Sequence, residues 1–309
     1  MFGFAELELD LLIAFAAIAL LCFFAFYAGR AVSKLEFSGK RKSLFLLGGS
    51  IFLALVFSWQ FQARLSWAVA IPLAAVVLWS NFTAPILAFA AGVAVNTASL
   101  KRSRIAVTGS LAILSLLFLV APLARPLISP PTIAEGGRFS GQVCLQSHES
   151  TCAPASAATL LRLNGIDATE KELVKACLTC NKGTEALGLY RALKISADRQ
   201  SQEVNLAARD PQFWLNSGQL PNVALVRFPA DEFGPLNSTL CSVKPAYPTI
   251  ANRSPFRFLG TGQEDGHAVV VVGFENEKWI IADPAIGMVK WSDKELRSRF
   301  TGDAIYLTR

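Results

Sequence analysis

Cys152 is the side chain in this sequence whose placement most directly suggests chemistry. It sits in QSHESTCAPASAATLL, Gln146 to Leu161, just ahead of Ala153-Pro154 and at the head of an alanine-rich stretch. A helix N-terminus favours a thiolate, because the macrodipole and the unsatisfied N–H groups stabilise negative charge there. Nucleophilic thiol chemistry then needs a base, a group that orients the base, and donors for an oxyanion. His267 is the candidate base. It opens the apolar run HAVVVVGF directly after GQEDG. The chain has two histidines, and the other, His148, lies in the approach to Cys152, where it reads as a solvated or cleft-wall residue. Asp283 is the candidate orienter, ending the run WIIAD in an Asp-Pro step. Gln146, six residues before Cys152, is the candidate oxyanion donor beside the Cys152 backbone N–H. Taken singly, each has a plainer reading: a structural cysteine, an edge histidine, an Asp-Pro turn, a solvated glutamine. The chemistry is read from the four together, in the chain order Gln146, Cys152, His267, Asp283.

The surrounding elements would hold them in place. CAPASAATLLRLNG predicts a helix closed by Asn164-Gly165, with small residues that let it lie close to a sheet. Thr169 and Glu172 have capping-box spacing for a second helix, and Thr184–Lys194 predicts a third. DPQFWLNSG predicts a helix with Asp210 as its cap and Pro211 at the first position. Strands are expected at Asn222–Phe228, His267–Phe274 and Trp279–Asp283, with two more in GMVKWS and AIYLT and a capped helix, SDKELRSRF, between them. A hairpin turn at Glu275–Lys278 would bring the start of the His267 strand beside the end of the Asp283 strand. Helices first and an antiparallel sheet later predict an α+β domain.

From Gly141 to Arg309 these motifs resemble the bacteriocin-processing double-glycine peptidase family, whose papain-like domain often precedes an ATP-driven exporter. The resemblance is carried by Gln146, Cys152 and its helix, Gly183-Thr184 leading into a further helix, the strand-opening His267, and Asp283-Pro284. It implies a cysteine peptidase with a Cys152–His267–Asp283 triad and a Gln146 oxyanion donor, acting on a peptide or protein such as the leader of an exported peptide. The chain departs from the family pattern in having Thr151-Cys152-Ala153 where Asp-Cys-Gly is common, and in a longer Ser201–Gly266 segment. It also carries no GxxxxGK[ST] phosphate loop, so an export motor would be a separate partner.

The N-terminal part differs in kind. Of the 309 residues 52% are hydrophobic, and the long apolar runs are concentrated before Leu123. Leu11–Gly29 is an uncharged run of 19 residues, near the ~20 needed to cross a hydrocarbon core. Acidic residues precede it and basic residues follow, the reverse of a secretory signal. A second span is expected over Ser43–Gln60. Leu65–Leu100 reads as a hairpin of two short spans, or one span and a re-entrant piece, broken at SNFTAP. A last span is expected over Ile105–Leu123, and Arg125–Pro131 reads as a stiff linker. The organisation is thus a transmembrane region over 1–123 with four or five apolar segments, a linker over 124–140 and the peptidase domain over 141–309.

The net charge of +6 gathers in Gly29–Lys42 and Lys101–Arg104, beside apolar runs. That pattern reads as membrane topology with lipid as the partner, and with no basic-aromatic interleaving for nucleic acid. Five crossings from an outside N-terminus would leave the catalytic domain in the cytoplasm. An even number of crossings between the basic clusters keeps both inside and puts the domain outside a bacterial inner membrane, which is the expected arrangement. The cysteines lean the same way. There are six, with Cys22 in the first span. Cys144, Cys177, Cys180 and Cys241 are expected to form disulfides, which leaves Cys152 over as the reactive thiol. A four-sulfur zinc site from the same residues is the alternative to disulfides. The expected enzyme uses no cofactor and no metal. The competing reading is a catalytically silent peptide-binding accessory subunit of a secretion system.

Overall fold

The computed structural model describes residues 3–34, 40–97, 101–133, 138–228 and 266–309. The chain forms two units. One holds Met1–Arg64 and Ala75–Ala124; the other takes in Leu65–Ala74 and most of the described chain from Arg125 onward.

The N-terminal part of the chain is helical. α1 (Gly3–Lys34) and α2 (Lys40–Gln60) are followed by a single turn, α3 (Trp67–Ala70), and then by α4 (Val76–Trp79), α5 (Thr83–Thr97) and α6 (Lys101–Ile128). Four stretches are long and apolar enough to cross a membrane: Leu9–Lys34, Lys42–Gln60, Val76–Thr97 and Arg102–Ile128. The Leu65–Leu100 region therefore holds one broken span. The break at Ser80–Phe82 is stitched by side chains. Asn81 donates to the Phe118 carbonyl, Gln62 donates to Asn81 Oδ1 at 3.3 Å, and Thr83 donates to Gln62 Oε1 at 2.7 Å. Pro85 falls in the first turn of α5, where no intrahelical N–H is required. α1 and α5 cross with their backbones nearly touching: a Cβ on Gly92 would stand 2.0 Å from the Phe26 carbonyl oxygen. Such small-residue crossings let apolar helices gain packing where lipid removes the usual hydrophobic drive. Phe24, Phe45, Phe52, Leu116 and Leu117 are exposed on the remaining faces.

The expected stiff linker at Arg125–Pro131 is in part helix. α6 continues through Pro126 to Ile128 and ends ahead of Pro130-Pro131. The residue before a proline is disfavoured in the α region, so the proline pair stops the helix where a single proline does not.

The C-terminal unit is α+β. A short hairpin, β1 (Arg138–Ser140) and β2 (Val143–Leu145), leads to α7 (Cys152–Leu163), α8 (Glu170–Ala176) and α9 (Ala186–Asp198). Then come β3 (Glu203–Leu206), α10 (Gln212–Asn216), β4 (Asn222–Arg227), β5 (Gly266–Glu275), β6 (Lys278–Asp283), β7 (Gly287–Ser292), α11 (Asp293–Arg299) and β8 (Phe300–Thr308). The sheet has the order β3-β8-β4-β5-β6-β7 and every pairing is antiparallel. Trp214, Val226, Val269, Val271, Trp279, Ile281 and Leu296 form one core. α7 packs with β5, and Ala153, Ala155, Ala157 and Ala158 along it are fully buried. Gly165, at φ +77°, ends the α7 segment. The expected capping box of α8 is present. α10 begins one residue later than expected, with Pro211 at the cap position and Asp210 Oδ1 accepting from the Gln212 N–H.

Candidate active site

The approach to Cys152 is a turn closed on itself. Thr151 Oγ1 donates to the His148 carbonyl at 2.8 Å and accepts from the His148 N–H, and His148 Nδ1 is engaged with the Ser150 hydroxyl at 2.9 Å. His148 is thus occupied within this turn. Cys152 is the first residue of α7 and is buried. One turn further on, Ser156 Oγ donates to the Ala268 carbonyl at 2.8 Å. That bond fastens the helix carrying Cys152 to the strand residue next to His267.

His267 is the second residue of β5 and Asp283 the last of β6; both are buried. His267 Nε2 and Asp283 Oδ1 are 2.8 Å apart. The hairpin between them turns at Asn276-Glu277, both at positive φ, as a two-residue turn with strand-matching twist requires. The turn alone would not make this pair. Near the turn Glu275 faces Lys278 and Gly273 faces Ile280. Continued to the far end, that register sets Asp283 opposite Val270, whose side chain lies on the other face from His267. A bulge between Val271 and Gly273 slips the register by one, so that Val270 faces Ala282. Asp283 then stands level with Val269, on His267's face and diagonal to it.

Burial works against a charge on His267. The Asp283 charge and hydrogen bond, with Cys152 adding, outweigh it and raise the ring from its usual 6.5 to about 10. Burial likewise opposes ionisation of Asp283, but His267, the Ala285 N–H at 2.8 Å and Arg299 together hold its carboxyl below the usual carboxylate range. The ring's other nitrogen, Nδ1, is buried without a hydrogen-bond partner, and Cys152 is a neighbouring group that interacts with the ring. The raised histidine makes a stability prediction with a definite sign. Its stabilisation is complete below pH ~6.5 and is lost as pH rises towards 10. The Asp283 share is present above pH ~4 and is lost as acid protonates the carboxylate. The melting temperature of the wild type should therefore exceed that of Asp283→Asn most between about pH 4 and 6.5, with the gap narrowing towards pH 10.

Gln146 is tied into the same corner. Its backbone N–H donates to the Pro284 carbonyl at 2.8 Å, one residue past Asp283. Its side-chain Nε2 and Oε1 are both buried without partners. An amide left unsatisfied in this way costs free energy and calls for an explanation.

The expected disulfides are not formed among the described cysteines. Cys144, Cys152, Cys177 and Cys180 are free thiols, and Cys241 lies outside the described residues, as does the Gly262–Asp265 approach to His267. Cys144, Cys177 and Cys180 are each engaged by contacts of their own. Cys144 lies on β2, with its N–H on Thr159 Oγ1. Cys177 ends α8 with its carbonyl packed against Gly188, and the Cys180 thiol donates to the Gly183 carbonyl. Burial pushes the Cys144 thiol up to about 12 and that of Cys177 higher still, so both are inert at neutral pH. Cys152 is distinguished by its place beside His267, and not as the thiol left over from pairing. Among the described residues no three of His, Cys, Asp and Glu gather as metal ligands. Two contributors had not been singled out in the sequence: Ser156, lost in a run of small helical residues, and Glu170, which reads there as an ordinary first-turn acid.

Comparisons with known proteins were made by sequence and by structure. Among curated proteins none matches the chain. Among solved structures, the peptidase domain of Streptococcus ComA, a bi-functional ABC transporter of quorum sensing, is similar at 22% identity, with 53% of this chain and 95% of that one covered and a TM-score of 0.37. A double-glycine motif protease from an AMS/PCAT transporter, solved with its leader peptide, is similar at 20% identity, covering 57% and 95%, with a TM-score of 0.38. The N-terminal peptidase C39 like domain of a Vibrio parahaemolyticus toxin secretion ATP-binding protein is 10% identical, covering 51% and 96%, at a TM-score of 0.33. The family model described as the Peptidase_C39 like family matches residues 142–304, which span the Gln146 loop, α7 and the His267–Asp283 hairpin. More than half of the chain lies within that match, and the chain belongs to the Peptidase_C39 like family.

Proposed function

We propose that the protein is a membrane-anchored cysteine peptidase that cleaves a peptide bond through Cys152, His267, Asp283 and Gln146. The observation that carries this reading is the buried His267–Asp283 pair, whose remaining ring nitrogen is unpartnered beside the thiol that heads α7. In the reaction His267 Nδ1 holds the proton of the Cys152 thiol, and the thiolate attacks the scissile carbonyl carbon. The resulting oxyanion is met by Gln146 Nε2 and the Cys152 N–H. The C–N bond breaks as His267 gives its proton to the leaving amine, leaving an acyl thioester on Cys152. Water then attacks the thioester, with His267 taking its proton, and the acid is released as the thiol re-forms. Asp283 keeps the ring oriented and stabilises its positive form.

Residues 1–123 serve as the anchor in lipid and residues 141–309 as the peptidase. The substrate is the leader of an exported peptide, handed on to a separate export machine. The four candidate spans bear on the side of the membrane. Two of them lie between the basic clusters at Gly29–Lys42 and Lys101–Arg104, so both clusters fall on one face. With that face cytoplasmic, the peptidase domain is extracytoplasmic. Alkaline phosphatase fused after Arg309 should be active in cells, and a green fluorescent protein fused there should stay dark; the opposite pattern would reverse the topology.

The function is tested with the full chain in lipid nanodiscs, given synthetic peptides carrying Gly-Gly before the scissile bond. Mass spectrometry should find new peptide termini, and a peptide acyl group on Cys152 trapped by acid quench. Binding of the peptides with neither product would replace the peptidase reading with that of a silent binding subunit. Acyl transfer to an added amine in place of water would make the reaction transpeptidation.

A further inference from the structure

We infer that Glu170 is the positioning residue of the oxyanion donor: its buried carboxylate holds the Gln146–Ser147 backbone so that the Gln146 amide is presented to the oxyanion formed at Cys152. This rests on the peptidase reading above and deepens it.

Glu170 is the first residue of α8 and is 0% exposed. Capping does not require it there, since Thr169 and Glu172 complete the capping box by themselves. Its Oε1 instead accepts from the Ser147 N–H at 2.9 Å, across 23 residues of chain. On the other side, the Gln146 N–H donates to the Pro284 carbonyl at 2.8 Å. The backbone at Gln146 is therefore pinned from two directions, to the start of α8 and to the turn that follows Asp283. The side chains of Gln146 and Ser147 contribute no such fixing. Gln146 Nε2 and Oε1 and Ser147 Oγ are all buried without partners. Among the described residues, the hydrogen bonds that hold this stretch are these two, both from backbone N–H groups.

Burying a carboxylate is costly unless it is well hydrogen-bonded. Glu170 makes this one bond through Oε1, and Oε2 is buried without a partner. An apolar side chain at this position would leave the Ser147 N–H without its acceptor. The arrangement makes sense when the bond's purpose is to hold the loop. An oxyanion donor works by being aimed before the charge develops, and a displacement of about 1 Å can cost on the order of 10²-fold.

The experiment uses the full chain in nanodiscs and the Gly-Gly peptide probe, with Gln146→Ala, Glu170→Met, Glu170→Gln and the double variant Gln146→Ala/Glu170→Met. Methionine keeps the bulk and removes the acceptor; glutamine keeps an acceptor oxygen. Glu170→Met should lower kcat by roughly 10- to 100-fold with little change in KM, while Glu170→Gln stays within about threefold of wild type. In the Gln146→Ala background Glu170→Met should cost less than about twofold more, because the group it positions is gone. Iodoacetamide labelling of Cys152 should be unchanged in all four. The inference is overturned if Glu170→Met has no effect, if its full cost persists without Gln146, or if glutamine is no better than methionine. Should Glu170→Met fail to fold, Glu170→Gln decides alone, and a loss beyond about tenfold overturns the inference. Failure of the peptidase reading is seen separately, as absence of turnover by the wild type. In that event the side-chain amide NMR signal of Gln146 still tests the positioning role: it should shift or broaden in Glu170→Met and keep its wild-type position in Glu170→Gln, and an unchanged signal in Glu170→Met overturns the inference.

Discussion

Cys152→Ala is expected to lower kcat by about 10⁴-fold or more, leaving peptide binding within a few-fold of wild type. The size follows from the division of labour. Removing the nucleophile removes the covalent route altogether, while the oxyanion donors and the binding surface stay in place. Cys144 and Cys177 cannot stand in, since burial holds both protonated at neutral pH. The substitution should also be gentle on the fold. Cys152 begins a helix whose next residues are alanine and proline, and alanine at that position loses little packing. Thermal unfolding should therefore change by a few degrees at most, and the acyl thioester should vanish from the mass spectrum. Retention of more than a tenth of the turnover by a folded Cys152→Ala variant would sink the proposed mechanism.

His267→Ala is expected to cost roughly 10³- to 10⁴-fold in kcat/KM and to slow alkylation of Cys152 by iodoacetamide at neutral pH. The ring has two duties. Its positive form sits beside the thiolate before attack, and its proton goes to the leaving amine afterwards. With His267 raised to about 10, the ring is charged across the neutral range. The pH profile should therefore fall on its alkaline side as the ring loses the proton it must donate. In Asp283→Asn the ring loses both the charge and the carboxylate acceptor that raise it, so that limb should move towards lower pH while kcat drops by about 10²- to 10⁴-fold. An alkaline limb that stays put in Asp283→Asn would mean that His267 is not the group titrating. Such a result would leave Cys152 reactive but without its assigned base.

A good deal of this site was legible in one dimension, because its signals are local. A cysteine ahead of proline and alanines, a glutamine six residues earlier, and an Asp-Pro closing an apolar run are all short-range patterns. The α7, α8 and α11 boundaries were readable for the same reason, since caps and stop residues act within a turn. The errors fell where distant segments decide the outcome. Counting cysteines could not reveal that Cys144, Cys177 and Cys180 stay free thiols, each engaged by contacts of its own. Composition around Arg125–Pro131 could not show that α6 carries on through Pro126. Nothing near Glu170 in the sequence marks it out, and only the packing of the chain brings it onto the Ser147 N–H.

The pairing of His267 with Asp283 marks the boundary most clearly. The sequence alone shows two β-rich runs joined by a short turn at Glu275–Lys278, so the far ends of the strands lie together. It did not determine which face each side chain takes. Strand side chains alternate with a period of two, so a slip of one residue inverts every assignment. The extra residue between Val271 and Gly273 supplies that slip. Where a bulge forms is settled by how the strand is gripped along its length: by β4 on one side and β6 on the other, and by α7 with its Ser156 bond to Ala268. Those are contacts between residues far apart in the chain, and only the tertiary structure decides them.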